Sequence, residues 1–510
     1  MYVNYIRRLF YLVLFTFLFK LIIAGFLELG NDEVYYYTYA LQPDWNHFDH
    51  PPMVGLLIRL TSLNLEWVND ISMRLGAIIG CGISTYFIFG IGKIIFSEKV
   101  GWYAALIYNC SIYTCIIAGF FILPDSPQMP FWTASLYLMS LIIFKDADKK
   151  MMIWVLLGLM IGMATLSKVH GLYLWAGFGL FILLKKTKWL LNWRIYIGIL
   201  ISLLCVIPIV YWNMQNHFIT YQFHSGRVTN HQIEWNSFIR ELLGEFGYQN
   251  PVVFILIIVS VIYFIKNKTI FSSLANTWLL CMGLPMILLF WVIALFNPTL
   301  PHWSGPGYIP LFFIAAQYLA VKSEQKIPFF IKSAGLFLIT VILIATILIR
   351  WAPVNFGSRD IQNYGEYSPA LDLSGWSDFS KSFRKMVAED IETGKMGKHS
   401  PLIINKWFPG GHLQFYTARQ AGLQIIGIGN LEDLHKFAWL NRMVDSLHTG
   451  QDAYFIVPSN VPADPINLYK NYFTLIEPPV IFEQRKENKV VRYFYVYRMK
   501  NCKRIPIPLI

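Results

Sequence analysis

Charge is what this sequence has little of. Asp, Glu, Lys and Arg make up 14% of its 510 residues, against about a quarter in a soluble globular domain. With 55% hydrophobic residues and a mean hydropathy of +0.46, a wholly water-soluble fold is excluded. Cysteine is scarce too. Of six, Cys81, Cys110, Cys115, Cys205 and Cys281 lie in or beside apolar runs, and only Cys502 is in the polar C-terminal region. This leaves no framework of paired cysteines there and no CxxC spacing for zinc. A P-loop, GxGxxG, HExxH and GxSxG in its strand-turn-helix setting are also missing, so ATP and nucleotide-sugar use lack support. Gly410-Gly411-His412 reads as a turn, not a nucleotide loop. There is no internal repeat and no low-complexity tract.

What is present is a series of apolar runs. About eleven have adequate or near-adequate length to span a bilayer, at 9–29, 70–92, 100–121, 128–145, 152–166, 170–184, 194–213, 251–266, 273–296, 305–321 and 329–350. The first follows Arg7-Arg8 but is too long for a signal-peptide core, and no small-x-small cleavage site follows it. The net charge is +12 and the pI near 9.2. Many basic residues sit in alternate short connections, among them Lys93, Lys99, Lys145, Lys185, Lys186, Lys266, Lys268 and Lys322. They read as topology signals, not a nucleic-acid patch, and place those connections in the cytoplasm. The expected architecture is an α-helical polytopic membrane protein. Residues 1–351 form its transmembrane domain and residues 352–510 a soluble α/β domain on the outer side. In that domain, Ser377 to Thr393 and Leu431 to Ser446 read as helices. Pro401 to Trp407, Leu423 to Ile428 and Ala453 to Val457 read as strands, with a hairpin around Lys486-Glu487-Asn488. The 17 Trp and 29 Tyr suit headgroup-level belts and sugar-stacking surfaces alike.

The polar motifs gather in the outward connections. Asn31-Asp32-Glu33-Val34-Tyr35-Tyr36-Tyr37 directly follows the first run. Helix capping with interfacial tyrosines explains part of it. The functional reading makes Asp32 a general base toward an acceptor hydroxyl, with Glu33 positioning the acceptor or supporting the fold. In Asp49-His50-Pro51-Pro52 the aspartate and prolines punctuate a helix start, which does not require His50, and a histidine there suits a lipid phosphate. Asp49, His50 and a distant histidine also keep a divalent ion open as an option. In Leu123-Pro124-Asp125-Ser126-Pro127, helix capping competes with a second carboxylate assisting Asp32. Lys168, in Ser167-Lys168-Val169-His170-Gly171, opposes the positive-inside bias and suits a phosphate; the alternative is snorkelling. His170 is grouped with it. Arg227, in the loop 212–250, is a candidate phosphate clamp. His224, His302 and Trp303 are candidates for acceptor, sugar or metal contacts, with a belt role competing for Trp303.

These motifs in this order resemble the GT-C membrane glycosyltransferases, in the branch holding protein O-mannosyltransferases and the lipid A aminoarabinose transferase. Phe48-Asp49-His50-Pro51-Pro52, Leu123-Pro124-Asp125-Ser126-Pro127 and Leu166-Ser167-Lys168-Val169-His170-Gly171 carry the likeness. Pro208-Ile209-Val210-Tyr211-Trp212-Asn213 and His302-Trp303 extend it. The resemblance implies a bacterial inner-membrane, inverting enzyme that draws a hexose, a pentose or a related sugar from a polyprenyl phosphate. Its acceptor would be lipid A, lipopolysaccharide or another envelope molecule on the periplasmic face. Asp32 matches the catalytic carboxylate. His50 stands where the aminoarabinose enzyme has a lysine, which shifts the phosphate contact toward Lys168 and Arg227. The alternatives are a protein O-glycosyltransferase of the same mechanism and a non-enzymatic lipid-sugar transporter or flippase.

Overall fold

The computed structural model describes residues 4–226, 232–270, 273–323, 327–507 and 509–510. Up to Arg350 it is helical: α1 (Tyr5–Ala24), α2 (Asn31–Leu41), α3 (Met53–Thr61), α4 (Asp70–Ile95), α5 (Glu98–Cys110), α6 (Asp125–Phe144), α7 (Met151–Ser167), α8 (Tyr173–Lys185) and α9 (Trp193–Gln215). There follow α10 (Ile219–Ser225), α11 (Trp235–Tyr248), α12 (Pro251–Lys266), α13 (Leu274–Ala294), α14 (Gly305–Lys322) and α15 (Phe329–Arg350). Each apolar run read from the sequence overlaps helix, though the first outruns α1, which ends at Ala24, and the third breaks at Ser111 before a π turn at Tyr113–Ile117.

Among the described residues, α4, α9, α13 and α15 are each long and apolar enough to cross a membrane; α11 and α12, bent by 100°, add a fifth if they count as one span. Only 28% of the apolar window of α9 and 22% of that of α15 are buried in protein. Bare apolar surface on this scale marks a face meant for lipid. These helices make the chain a multi-pass membrane protein.

The chain forms two compact units. The first comprises Met1–Ile22, Asp44–Asn64 and Arg74–Ile342. Its core is apolar and close-packed, with Trp132, Trp154 and Trp278 at most 1% exposed.

The second unit comprises Ile23–Pro43, Leu65–Met73 and Leu343–Ile510. It therefore takes in α2 as well as the C-terminal region. There α16 (Trp376–Glu392) is followed by β1 (Leu402–Ile404), α17 (Trp407–His412), β2 (Ile425–Gly427), β3 (Ala453–Pro458), β4 (Phe473–Ile476), β5 (Val480–Lys486) and β6 (Lys489–Cys502). The strand order is β2-β1-β3-β6-β4, with β5 also paired to β6. The β1 pairings with β2 and β3 are parallel, and those of β6 are antiparallel, with Phe455 opposite Tyr497. The expected helix Ser377 to Thr393, the three strands and the hairpin all appear. Three readings need correction. The expected helix Leu431 to Ser446 breaks at His435, whose φ is +50°. The strand expected to run to Trp407 ends at Ile404. Gly410-Gly411-His412 is helical, and since a side chain at Gly411 would meet Val34 Cγ2 at 3.0 Å and the Tyr35 amide at 3.2 Å, glycine there lets α2 lie against α17. The strand β4 has no strong sequence signal, since Phe473 alone of its residues is buried.

Candidate active site

The first unit builds its polar centre from connections between apolar helices. Asp125 opens α6 behind an N-cap, Pro124, that offers no side-chain hydrogen bond. The turn is closed instead by Ser126, whose Oγ accepts from the Leu123 amide at 3.1 Å and donates to the Phe121 carbonyl. Asp125 is thereby left for another task. Its Oδ1 accepts from Tyr113 Oη at 2.8 Å and from Lys168 Nζ at 3.0 Å, and its Oδ2 accepts from the same Nζ at 2.9 Å. Both charged side chains are buried, 4% and 2% exposed. Lys168 does not snorkel. Its chain leaves α7 in an extended conformation and returns at once, because Gly171 packs where a Cβ would lie 2.4 Å from the Thr165 amide. Gln128 Nε2 fixes that corner by donating to the Lys168 carbonyl at 3.1 Å.

Histidines surround this pair. His50 and His302 both lie in the fields of Lys168 and Asp125, and His170 feels those two together with His50 and His302. Burial pushes the His50 imidazole down to about 4; Asp49 and Asp125 oppose the shift, and His224 and Lys168 add to it. Burial likewise takes His302 down to about 4, with Lys168 reinforcing and Asp125 opposing. Near neutral pH both rings are therefore uncharged and offer hydrogen bonds, not positive charge. The 44–52 loop is zipped to α10 and the end of α9. His224 Nε2 lies 2.8 Å from the Asp49 carbonyl, the His50 and His224 rings are 6.2 Å apart, and Trp212 Nε1 donates to Asp44 at 2.8 Å. Trp303 packs 6.0 Å from Phe290, which also contacts the His170 ring at 5.2 Å.

The structure thus gathers Asp49, His50, Asp125, Lys168, His170, His224 and His302 into one neighbourhood of the first unit. Asp32 and Glu33 stand in the second unit, on the first turn of α2. Asp32 is exposed. Glu33 is buried, and its Oε2 accepts from the Gly30 amide at 2.9 Å as half of a capping box. Asn31 Nδ2 donates to Asp372 at 3.0 Å. The tyrosines after Glu33 form no surface belt: Tyr35, Tyr36, Tyr37 and Tyr39 are at most 5% exposed, with Tyr35 packed on Trp407 and Tyr37 on Phe415. Arg227 lies outside the described residues. Among the described residues no three His, Cys, Asp or Glu side chains are grouped to hold a metal. The described residues therefore give Asp49 and His50 no third ligand for a divalent ion.

Two further groups carry no motif. Tyr113, which completes the Asp125 contacts, has nothing in its sequence neighbourhood to mark it. Glu241 and Glu245 anchor the connection bearing His302 and Trp303: Thr299 Oγ1 donates to Glu241 at 2.7 Å, while Trp291, Tyr308 and Ser304 all donate to Glu245. Two carboxylates four apart on the amphipathic α11 were a legible signal, since they share one helical face.

Residues 49–212 match the family model described as dolichyl-phosphate-mannose-protein mannosyltransferase. That segment contains His50, Asp125, Lys168 and His170. Two solved structures of ArnT from Cupriavidus metallidurans, one in the apo state and one bound to undecaprenyl phosphate, match with a TM-score of 0.61. Identity is 12% and 14%, over 97% of this chain and 98% of theirs. The chain has the GT-C glycosyltransferase fold. At such identity the GT-C likeness is one of architecture, extending through the C-terminal sheet. No curated protein matches the sequence.

Proposed function

We propose that the chain is an inverting glycosyltransferase that moves a sugar from undecaprenyl phosphate to lipid A, lipopolysaccharide or another envelope acceptor. The observation that carries this reading is the buried Asp125–Lys168 pair ringed by His50, His170 and His302, inside and beside the family-matching segment. A lysine fixed by a carboxylate and flanked by neutral imidazoles suits a phosphate that gains charge as it leaves. ArnT, whose fold the chain shares, has been seen with undecaprenyl phosphate bound, which supports a polyprenyl-phosphate donor.

In this mechanism the acceptor oxygen attacks the anomeric carbon while the bond from that carbon to the donor phosphate breaks. The acceptor proton passes to Asp32, and the electron pair leaves with undecaprenyl phosphate. Lys168, with His50 and His170 donating as neutral groups and Arg227 as a second cation, stabilises the departing phosphate. Asp125 aims Lys168. His302 and Trp303 line the sugar side, and Asp49 and His224 hold the loop that carries His50. For a phosphate acceptor no strong base is needed, and Asp32 orients it. The placement is the bacterial inner membrane, with about eleven spans, a cytoplasmic N-terminus and the 352–510 region in the periplasm.

Proteoliposomes carrying the purified chain and an undecaprenyl-phosphate sugar separate transfer from mere movement. New glycosidic product with the wild type and about a thousandfold less with Asp32→Asn is expected. Lipid translocation without product would leave a flippase instead. A second reading, protein O-glycosylation by the same chemistry, draws on the family model's own description. Mass spectrometry of envelope lipids and proteins from a deletion strain decides between the acceptors.

A further inference from the structure

The second unit holds a cavity of about 480 Å³ that the proposed mechanism does not use. Its walls are the end of α15, the start of α16 and the β5–β6 hairpin, with Arg350, Arg485 and Lys486 among its lining. Phe379 and Phe494, stacked at 3.9 Å, also line it. Volumes of about 300–1,000 Å³ are those of ligand sites.

The position of the cavity follows from α15, an apolar helix of 22 residues that ends in Arg350 and is followed by a half-exposed Trp351 packed 5.6 Å from Phe26. An arginine and a tryptophan at the end of an apolar span sit at the level of lipid headgroups. Charge accounting indicates the ligand. Two lining carboxylates already have partners: Glu483 takes Arg485 at 2.6 Å, and Asp378 takes Lys381 at 2.9 Å. Glu487 is in the exposed hairpin turn. Lys486 is 7% exposed, and its Nζ donates to a neutral acceptor, the Ile349 carbonyl. Behind it Arg492, wholly buried, donates to the Leu371 and Ser374 carbonyls and to Gln484. The nearby Glu28 spends both oxygens on the Trp376 and Ser377 amides. Arg350 and Lys486 therefore face the cavity with no ion pair to a carboxylate among the described residues. Burial, then Arg492 and Arg350, push Lys486 down to about 8, with Glu28 opposing.

We propose that this cavity binds the phosphate of an anionic phospholipid headgroup, with Arg350 and Lys486 as its ligands. The site is separate from glycosyl transfer and is tested by binding alone. The full chain in detergent micelles is titrated with dioctanoyl phosphatidylglycerol, dioctanoyl phosphatidylcholine and inorganic phosphate, with native mass spectrometry and thermal shift as readouts. Phosphatidylglycerol should bind in preference to phosphatidylcholine. Arg350→Gln, an exposed change that leaves the fold intact, should weaken it about fivefold, the worth of one surface cation toward an anionic headgroup. Lys486→Gln should do the same; if it fails to fold, Arg350→Gln decides alone. Equal binding of the two lipids, or binding unmoved by Arg350→Gln, overturns the proposal. Inorganic phosphate binding as tightly as the lipid would make free phosphate the ligand and overturn the lipid assignment.

Discussion

Each unit of this protein buries one aspartate against one cation, and the two pairs are built to opposite ends. In the second unit Arg498 grips Asp390 through two bonds of 2.7 Å, and Tyr454 adds a third at 3.0 Å. The fork, the carboxylate and the phenol leave little unsatisfied, and the result ties α16 to β3 and β6. In the first unit Asp125 holds a lysine, a point charge without a fork. Around it stand imidazoles that burial has made neutral. Burial and pairing are thus shared by a staple and by a candidate site. A buried ion pair is weak evidence of anything beyond specificity; what separates the two is the company of perturbed titratable groups.

Deleting the cation from each pair breaks the comparison hardest. Lys168→Ala and Arg498→Ala each strand a buried carboxylate, at a cost of about 3–5 kcal/mol. Denaturation midpoints should fall for both. Transfer measured per folded molecule should fall about a thousandfold for Lys168→Ala, from lost phosphate stabilisation, and stay near wild type for Arg498→Ala. If Lys168→Ala retains full turnover once corrected for folding, its pair is a staple like the other.

Exchanging the cations is gentler. Arg498→Lys loses one of two parallel bonds and should cost about 1–2 kcal/mol of stability with turnover unchanged. Lys168→Arg keeps the charge but spreads it over a larger plane in a close-packed site. Turnover should drop about tenfold while the thermal midpoint moves little. Equal loss of turnover in both swaps would erase the distinction.

The sequence shows one of these pairs and hides the other. Lys168 stands out because a lysine in a connection read as outward defies the charge bias, and Asp125 because the same reading puts it on the side of Asp32. Both residues were legible, but their mutual contact was not, since 43 positions separate them. Asp390 and Arg498, 108 apart in ordinary helix and strand surroundings, gave no signal at all. The helices were readable for the reason that strands such as β4 were not. A run of apolar residues long enough for lipid is unambiguous, whereas a strand of four residues with one buried side chain has no period to detect. The break at His435 was equally invisible, because a non-glycine residue at positive φ is held there by its surroundings, not by its own preference.

Acid should separate His302 from Asp372 by sign. His50 and His302 titrate near 4 when folded and near 6.5 when unfolded. The unfolded chain therefore takes up protons first, and stability drains away as pH falls from 6.5 toward 4. Asp372 in the second unit is raised from 3.8 to about 6 by burial, with Arg492 and the Asn31 hydrogen bond opposing. The folded chain keeps that proton, so Asp372 contributes stability at low pH that is lost as pH rises through 6. His412, held near 3 by burial, follows the first pattern within the second unit. Thermal unfolding at pH 7 and pH 5 should show His302→Gln losing about 1–2 kcal/mol less on acidification than wild type, and Asp372→Asn about 1 kcal/mol more. Equal acid loss in both variants would contradict the assigned surroundings.

The smallest effect concerns a carboxylate that has no cation in its grip. Glu245 accepts from Trp291 at 2.7 Å, from Tyr308 at 2.8 Å and from Ser304, three neutral donors that converge on it and so fix the approach to α14. It touches no proposed reacting atom. It acts through the loop that presents His302 and Trp303. Glu245→Gln keeps the shape but turns one oxygen into an amide that faces donors with a donor, undoing one or two of the three bonds. A loop released at one end still samples its working position, so binding pays more than chemistry does. KM for the donor should rise about threefold to tenfold, at about 1 kcal/mol for the lost bond, with kcat within a factor of about two. A fall in kcat at constant KM would instead place Glu245 among groups that act on the transition state. That outcome would leave the Asp125–Lys168 pair as only one of two buried carboxylate centres serving the reaction in the first unit.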